Sequence, residues 1–249
     1  MNNIPVHAPL FPPSMEYGSD DAEAVSVLVA CDEGAVRRLL AATPFAFVSA
    51  HAWIECVKLN SAFGVEPFCG GGVIVPARYG DVVGGYYAFC YIDTDDALAL
   101  GREPFGYPKK YARSHVQRTG RAATTSMVRK DAHVEASVVI AAEAPALPAV
   151  PRYPHLLLQV FPSASSPDVL LKRVIARDTA AASRMTSAGG EGAVRVKELA
   201  GGNELGWLEG ARALGGVYSQ GAFRGALGRV LGTEEIGTEL RAAMPLAAQ

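Results

Sequence analysis

Residues Gly101 to Ala112 read GREPFGYPKKYA, and this is the most informative segment of the chain. A surface Lys-Lys pair ordinarily has polar neighbours. Here Lys109 and Lys110 stand among Phe105, Tyr107 and Tyr111, and Pro104 and Pro108 stiffen the turn. On extended chain the two lysine side chains project to opposite faces. Lys110 is then too distant to repel Lys109 strongly, so apolar burial is the expected main influence on the Lys109 amine. Phe105, Tyr107 and the core strands are the expected surroundings, and Lys110 is a structural or carboxylate-binding charge.

Working outward, YYAFCYI (86–92) predicts a strand and DTDDALAL (93–100) a short helix whose acidic residues suit its positive end. Before these come an irregular, proline-bearing lead-in (1–20), a strand VSVLVA (25–30), and a helix capped by Asp32 and reaching about Leu40. A strand over 46–60, a loop from Asn60 to a flexible glycine turn at Gly70–Gly72, and a short strand Val73–Ala77 follow. Downstream, strands are predicted near 112–119, 122–129 and 133–141. Pro145, Pro148, Pro151 and Pro154 mark 141–154 as a stiff connector, a reading preferred to a polyproline ligand for a partner domain. HLLLQVFP (155–162), DVLLKRVIARD (168–178) and AVRVKEL (193–199) predict strands, Ser187–Gly192 a flexible loop, and 205–215 and 222–248 helices. Strands come in runs and do not alternate regularly with helices. The expected class is α+β with a largely antiparallel sheet, in a single domain over 1–249.

The chain has 249 residues, 49% hydrophobic and 19% charged, which suits a packed core and excludes a disordered one. Its 23 basic and 25 acidic residues give no cationic excess, so neither nucleic acid nor a membrane surface is an expected partner. Leu39–Ile54, the longest apolar-looking run, is too short and too often interrupted to span a bilayer. No Lys or Arg precedes Arg37, which argues against a secretory leader. Cys31, Cys56, Cys69 and Cys90 form no C-x-x-C and are expected reduced, in the cytoplasm. No dinucleotide fingerprint, phosphate loop, zinc-protease helix or serine elbow is present. His7, His51, His115, His133 and His155 lack ligand spacing and read as surface or sheet residues. No cofactor and no metal is expected.

The G-R-E-x-x-x-x-P-K-K run resembles the most specific motif of the acetoacetate decarboxylase family and matches it in full. WIECVKL (53–59), YYAFCYI and HLLLQVFP extend the resemblance over about residues 9–231. The resemblance implies a cone-shaped, largely antiparallel β-barrel or sheet with flanking helices, a homo-oligomer, and a small keto acid as substrate. It implies that Lys109 is a Schiff-base nucleophile and that Glu55 is a catalytic glutamate. The chemistry is sound: an amine attacks a carbonyl only when neutral, and at an ordinary pKa only about one lysine in 2,500 is neutral at pH 7. Burial in an apolar pocket removes that obstacle.

Two positions depart from the family pattern. Its N-terminal arginine falls at Ala22 and its second glutamate at Gly70. Glu66, four residues from Gly70, is a candidate replacement. Glu55 itself is a carboxylate in an apolar strand, which calls for a polar partner. Arg102 and Glu103 are expected to form an ion pair that holds the turn. Tyr218 is a candidate pocket residue and enamine proton donor, or else a packed aromatic. The leading expectation is decarboxylation through Lys109. The alternatives are a Schiff-base aldolase-dehydratase or cyclase, or a non-covalent ligand-binding or cyclising pocket in which Lys109 is vestigial.

Overall fold

Strand-forming residues dominate the chain, and the architecture follows from them. The computed structural model describes residues 10–162 and 170–236. In chain order the elements are β1 (Gly18–Ala30), α1 (Glu33–Leu40), β2 (Ala46–Phe47), β3 (His51–Leu59), β4 (Ala62–Phe63), β5 (Cys69–Tyr79) and β6 (Val82–Ile92). Then come α2 (Asp95–Arg102), β7 (Lys109–Tyr111), β8 (Arg113–Thr119), β9 (Ala122–Arg129), β10 (Ala132–Ile140), β11 (His155–Pro162) and β12 (Leu170–Arg177). Last are α3 (Thr179–Ala182), β13 (Arg184–Val196), a short 3-10 turn at Gly206–Leu208, β14 (Arg212–Arg224) and β15 (Gly228–Ile236).

All fifteen strands join one mixed sheet. Its main path runs β15-β12-β11-β6-β5-β3-β1-β14-β13-β10-β9-β8, with β2, β4 and β7 attached to β5, β1 and β6. Every pairing is antiparallel except those of β11 and β7 with β6. The α+β expectation of a largely antiparallel sheet agrees with this. A closed barrel does not: among the described residues the path ends at β15 and β8 without joining. The sheet curls instead, folding β8 over β3 and β5.

Alternation sorts the central strands into two buried faces. On β1 and β3, Val25, Val27, Val29, Ile54 and Cys56 enter one core with Val73 and Val75. Ala22, Leu28, Trp53 and Leu59 turn to a second core with Ile74, Tyr87 and Leu157. Burial on both faces explains why these strands read as continuous apolar runs. Each large side chain so buried contributes about 1.5–3 kcal/mol.

The two longer helices form where local signals are strong. Asp32 caps α1, its Oδ1 accepting from the Ala35 N–H at 2.7 Å, while Arg37 and Arg38 occupy the last turn. α2 begins with Asp95 and Asp96 and buries Ala97, Ala99, Leu100 and Gly101. No helix among the described residues is long and apolar enough to cross a membrane.

Glycine-rich segments depart from expectation. Gly70–Gly72 is no flexible turn: it lies inside β5, paired on one side with β3 and on the other with β6. Ser187–Gly192 is no loop: it lies inside β13, between β10 and β14. Gly190 stands opposite Gly216, and a Cβ on Gly216 would meet Val138 Cγ2 at 2.4 Å. Close strand approach requires these glycines, an effect that propensity misses. Where helices are expected at 205–215 and 222–248, the described residues form the 3-10 turn at Gly206–Leu208 and the strands β14 and β15, because pairing overrides the Ala/Leu composition. Residues 1–9 of the lead-in and 237–248 of the last expected helix lie outside the described residues. Residues 141–154, between β10 and β11, form neither helix nor strand.

Candidate active site

A cavity of about 240 Å³ opens on the second face of the sheet, beside α2 and β7. Its lining includes Lys109, Glu55, Tyr107, Arg152, His155 and Arg177. The GREPFGYPKK turn is built to deliver Lys109 there. Gly106 adopts φ +77°, and a Cβ on it would press within 2.7 Å of the Gln159 backbone. The Gly106 N–H donates to Arg102 O at 3.0 Å and the Tyr107 N–H to Gly101 O at 3.1 Å. The Lys109 stem then lies across Gly101, where a Cβ would come within 2.4 Å of Cε and 2.7 Å of Nζ. The motif glycine is therefore space for the lysine.

The Lys109 side chain is half-buried. Its Nζ donates to Ala97 O at 2.6 Å and lies 5.6 and 5.8 Å from the ring centroids of Phe68 and Tyr107. Among the described residues it has no carboxylate partner. Burial holds its pKa below the ordinary lysine value; Cys90 and Tyr17 oppose that shift and the Arg177 charge adds to it. Lys110, one residue on, faces the other way: it pairs with Glu204, whose other oxygen accepts from Tyr91 Oη at 2.6 Å. Period-two alternation on β7 separates the two amines.

Glu55 on β3 is 4% exposed and lines the cavity. Its Oε2 accepts from Arg152 Nη1 at 2.9 Å and from Ser26 Oγ at 3.2 Å. Arg152 Nη1 also donates to Ser26 Oγ at 2.8 Å, and its guanidinium lies 4.9 Å from the ring centroids of both Trp53 and Tyr153. Burial works against the Arg152 charge, but Glu55, Tyr153 and Tyr87 together hold its pKa above the ordinary value.

A second polar group centres on Tyr107. Its hydroxyl lies 2.8 Å from His155 Nδ1 and 3.4 Å from Arg177 Nη1. Arg177 also donates to Tyr17 Oη at 3.2 Å and Ala226 O at 2.5 Å. Burial, with the nearby Arg177 and Arg152 charges, keeps the His155 pKa well below its usual value, so the ring is neutral at pH 7. A register shift in β6 between its Phe89 and Tyr87 pairings turns Tyr87 and Cys90 to the same cavity despite their odd spacing.

The other expected residues divide. Phe105 is buried beneath Arg177, with the guanidinium carbon 3.9 Å from its ring centroid, so it supports the cavity without lining it. Glu66 is exposed and outside the lining. Its backbone N–H donates to Asp96 Oδ2 at 2.6 Å, which ties the loop to α2 and turns it from the site. Arg102 and Glu103 do not pair. Arg102 Nη1 donates to Lys109 O at 3.3 Å, and the Glu103 carbonyl accepts from the Gln159 amide. Adjacent residues on a helix end point apart, so the Arg102 side chain bonds a backbone carbonyl, and Glu103 Oε2 has no hydrogen-bond partner among the described residues. Tyr218 is buried on the opposite face, its hydroxyl donating to Glu23 Oε1 at 2.5 Å, and the β14 residues that line the cavity are Ser219 and Phe223.

A sequence model described as acetoacetate decarboxylase matches residues 3–234. The chain belongs to the acetoacetate decarboxylase family. An acetoacetate decarboxylase from Clostridium beijerinckii is 29% identical over 107 residues, 43% of this chain and 43% of that protein. The chain thus matches under half the length of this curated relative. Among solved structures, an acetoacetate decarboxylase from Legionella pneumophila superposes with a TM-score of 0.74 at 16% identity, covering 93% of this chain and 92% of that one. The enduracididine biosynthesis enzyme MppR, complexed with pyruvate, superposes with a TM-score of 0.68 at 17% identity, covering 91% and 93%. These likenesses establish the acetoacetate decarboxylase fold.

Against the family pattern, Ala22 is fully buried and outside the cavity lining. The guanidinium beside Glu55 belongs to Arg152, on the proline-rich connector. Gly70 does line the cavity, but a Cβ there would meet Ile92 Cδ1 at 2.3 Å and Tyr91 O at 2.5 Å. No side chain fits at that position as the strands stand. Sequence reasoning missed Arg152, Arg177 and His155. Arg177 carried a usable signal, a charge ending the apolar run VLLKRVIAR, which is the logic that singled out Glu55. His155 opens an apolar strand, but its buried, neutral state comes from packing against Tyr87, Tyr107 and Tyr153.

Proposed function

We propose that this chain is a cofactor-independent lyase in which Lys109 forms a Schiff base with a small keto acid. One observation carries the reading: a half-buried lysine amine opens onto a cavity, lacks a carboxylate partner among the described residues, and has its pKa depressed by burial. Family membership and relatives named acetoacetate decarboxylase support the same class.

The neutral amine attacks the keto carbon and water departs, leaving an iminium. In a 3-keto acid the carboxylate is on the carbon next to the iminium carbon, so breaking its C–C bond releases CO2 while the electron pair moves into the iminium and yields an enamine. Protonation of its carbon and hydrolysis return the amine. Glu55, fixed by Arg152 and Ser26, is the proposed polar group that orients the substrate. Tyr107, Phe68 and Tyr87 exclude water around the iminium. A homo-oligomer is the proposed assembly.

A second reading is favoured by the closure of Gly70 and by the pyruvate-bound MppR neighbour. The enamine then adds to a second carbonyl and dehydration follows, as in an aldolase-dehydratase. Borohydride reduction with pyruvate or acetoacetate, followed by intact mass and peptide mapping, tests the shared step. An adduct on Lys109 that is absent from Lys109→Ala is expected; no adduct across a keto-acid panel would remove the proposal. CO2 release separates the two routes.

A further inference from the structure

Arg177 is 2% exposed and lines the cavity. Among the described residues its hydrogen bonds go only to neutral oxygens, those of Ala226, Tyr107 and Tyr17. A buried guanidinium without a counter-charge is costly. Those bonds use the Nε hydrogen and one hydrogen on each terminal nitrogen, so one N–H remains on each terminal nitrogen. The cavity's carboxylate, Glu55, is already engaged by Arg152.

His155 gives an independent sign of the same deficit. It is 4% exposed, lines the cavity, and its Nε2 has no partner. Its Nδ1 is taken up by the Tyr107 hydroxyl at 2.8 Å, so Nε2 is the ring atom left to meet a ligand. A guanidinium and an imidazole, both bonded to one phenol oxygen, thus present unpartnered nitrogens to the same cavity. Arg177 and the Lys109 amine line the same cavity and both approach the Tyr107 ring, with Arg177 Cζ 5.6 Å and Lys109 Nζ 5.8 Å from its centroid.

We propose that Arg177 anchors a substrate carboxylate that the reaction retains, so that the substrate is a keto acid whose anchored carboxylate is not the leaving group. This rests on the Lys109 Schiff-base reading and goes beyond it. Loss of CO2 converts a charged carboxylate into a neutral molecule as its electron pair moves into the iminium. A guanidinium against that carboxylate stabilises the starting state more than the transition state, which slows the step. A carboxylate held at Arg177 instead suits the enamine route. The α-carbon gives up a proton, the enamine electron pair forms a bond to an aldehyde carbon, and the aldehyde oxygen takes a proton. Water then releases the lysine with the carboxylate intact.

Lactate, which has no carbonyl and forms no imine, tests the anchor apart from Lys109. Calorimetric titration is expected to show equal lactate binding to the wild type and Lys109→Ala, and binding about 30-fold weaker for Arg177→Gln, the lower range for removing one member of a buried charge pair. Arg177→Lys, which keeps the charge, is expected to retain part of the affinity and covers the case in which Arg177→Gln does not fold. Lactamide, the neutral counterpart, is expected to bind the wild type about 30-fold more weakly than lactate. Equal binding of lactate and lactamide, or lactate binding unaffected by Arg177→Gln, would overturn the anchor. CO2 release from acetoacetate, whose carboxylate is on the carbon next to the iminium carbon, that falls in Arg177→Gln would overturn retention. Arg177-dependent lactate binding without any borohydride adduct would remove the Lys109 reading and leave the anchor standing.

Discussion

Arg152 and Glu55 meet across 97 residues of sequence, with the guanidinium Nη1 2.9 Å from the carboxylate Oε2. The connector that carries Arg152 is irregular, yet it delivers the charge that a buried carboxylate on β3 requires. Removing one partner strands the other, at a cost of about 3–5 kcal/mol. Arg152→Ala is therefore expected to lose about that much in urea unfolding, and Glu55→Gln combined with Arg152→Met considerably less. A double variant as unstable as the sum of the single ones would show that the pair is not the cause.

Gly101→Ala tests whether the motif glycine is space for Lys109. The new methyl would sit 2.4 Å from Lys109 Cε, so the flexible stem must move. Alanine is a better helix former by about 1 kcal/mol, which offsets the crowding. Thermal unfolding is expected to change little while borohydride trapping of pyruvate falls at least about tenfold, the rate effect of roughly 1.4 kcal/mol. Unchanged trapping would mean that the amine has room to relocate.

The depressed Lys109 pKa has a stability consequence. The folded state binds the proton less well than the unfolded chain, whose lysine titrates near about 10.4. The penalty is absent above that value, grows as pH falls, and is complete below the folded pKa. Each unit of depression costs about 1.4 kcal/mol. Lys109→Met is thus expected to stabilise the protein at pH 7 and to lose that advantage toward pH 11. Chemical denaturation at a series of pH values measures it, and a pH-independent difference would contradict burial as the cause.

Lys110→Ala separates the neighbouring amines. Its partner Glu204 also accepts from Tyr91, and the pair is partly exposed, so the loss is expected to be about 1 kcal/mol or less. Borohydride trapping is expected to persist. Loss of the Lys109 adduct in this variant would mean that the second cation matters to the first.

Gly70→Glu restores the family's second glutamate in composition but not in space. Contacts at 2.3 Å and 2.5 Å with Ile92 and Tyr91 predict destabilisation of at least about 1–3 kcal/mol, measured by thermal unfolding. A stable variant would show that β5 and β6 yield at this point.

The sequence by itself determined the helices α1 and α2, the opposite orientation of Lys109 and Lys110, and the need for a polar partner at Glu55. Capping, first-turn acids, period-two alternation and the cost of burying charge all act within a few residues or on one side chain. The tertiary structure alone decided that glycine-rich stretches are strands, because only a neighbouring strand's backbone shows why no Cβ is tolerated. It also decided that Ser219 and not Tyr218 faces the cavity, which is a matter of pairing register. The convergence of Arg152, His155 and Arg177 on the cavity of Lys109 was decided in the same way. Strand order and register place these residues, through contacts between segments far apart in the chain, and local propensity carries no record of such contacts.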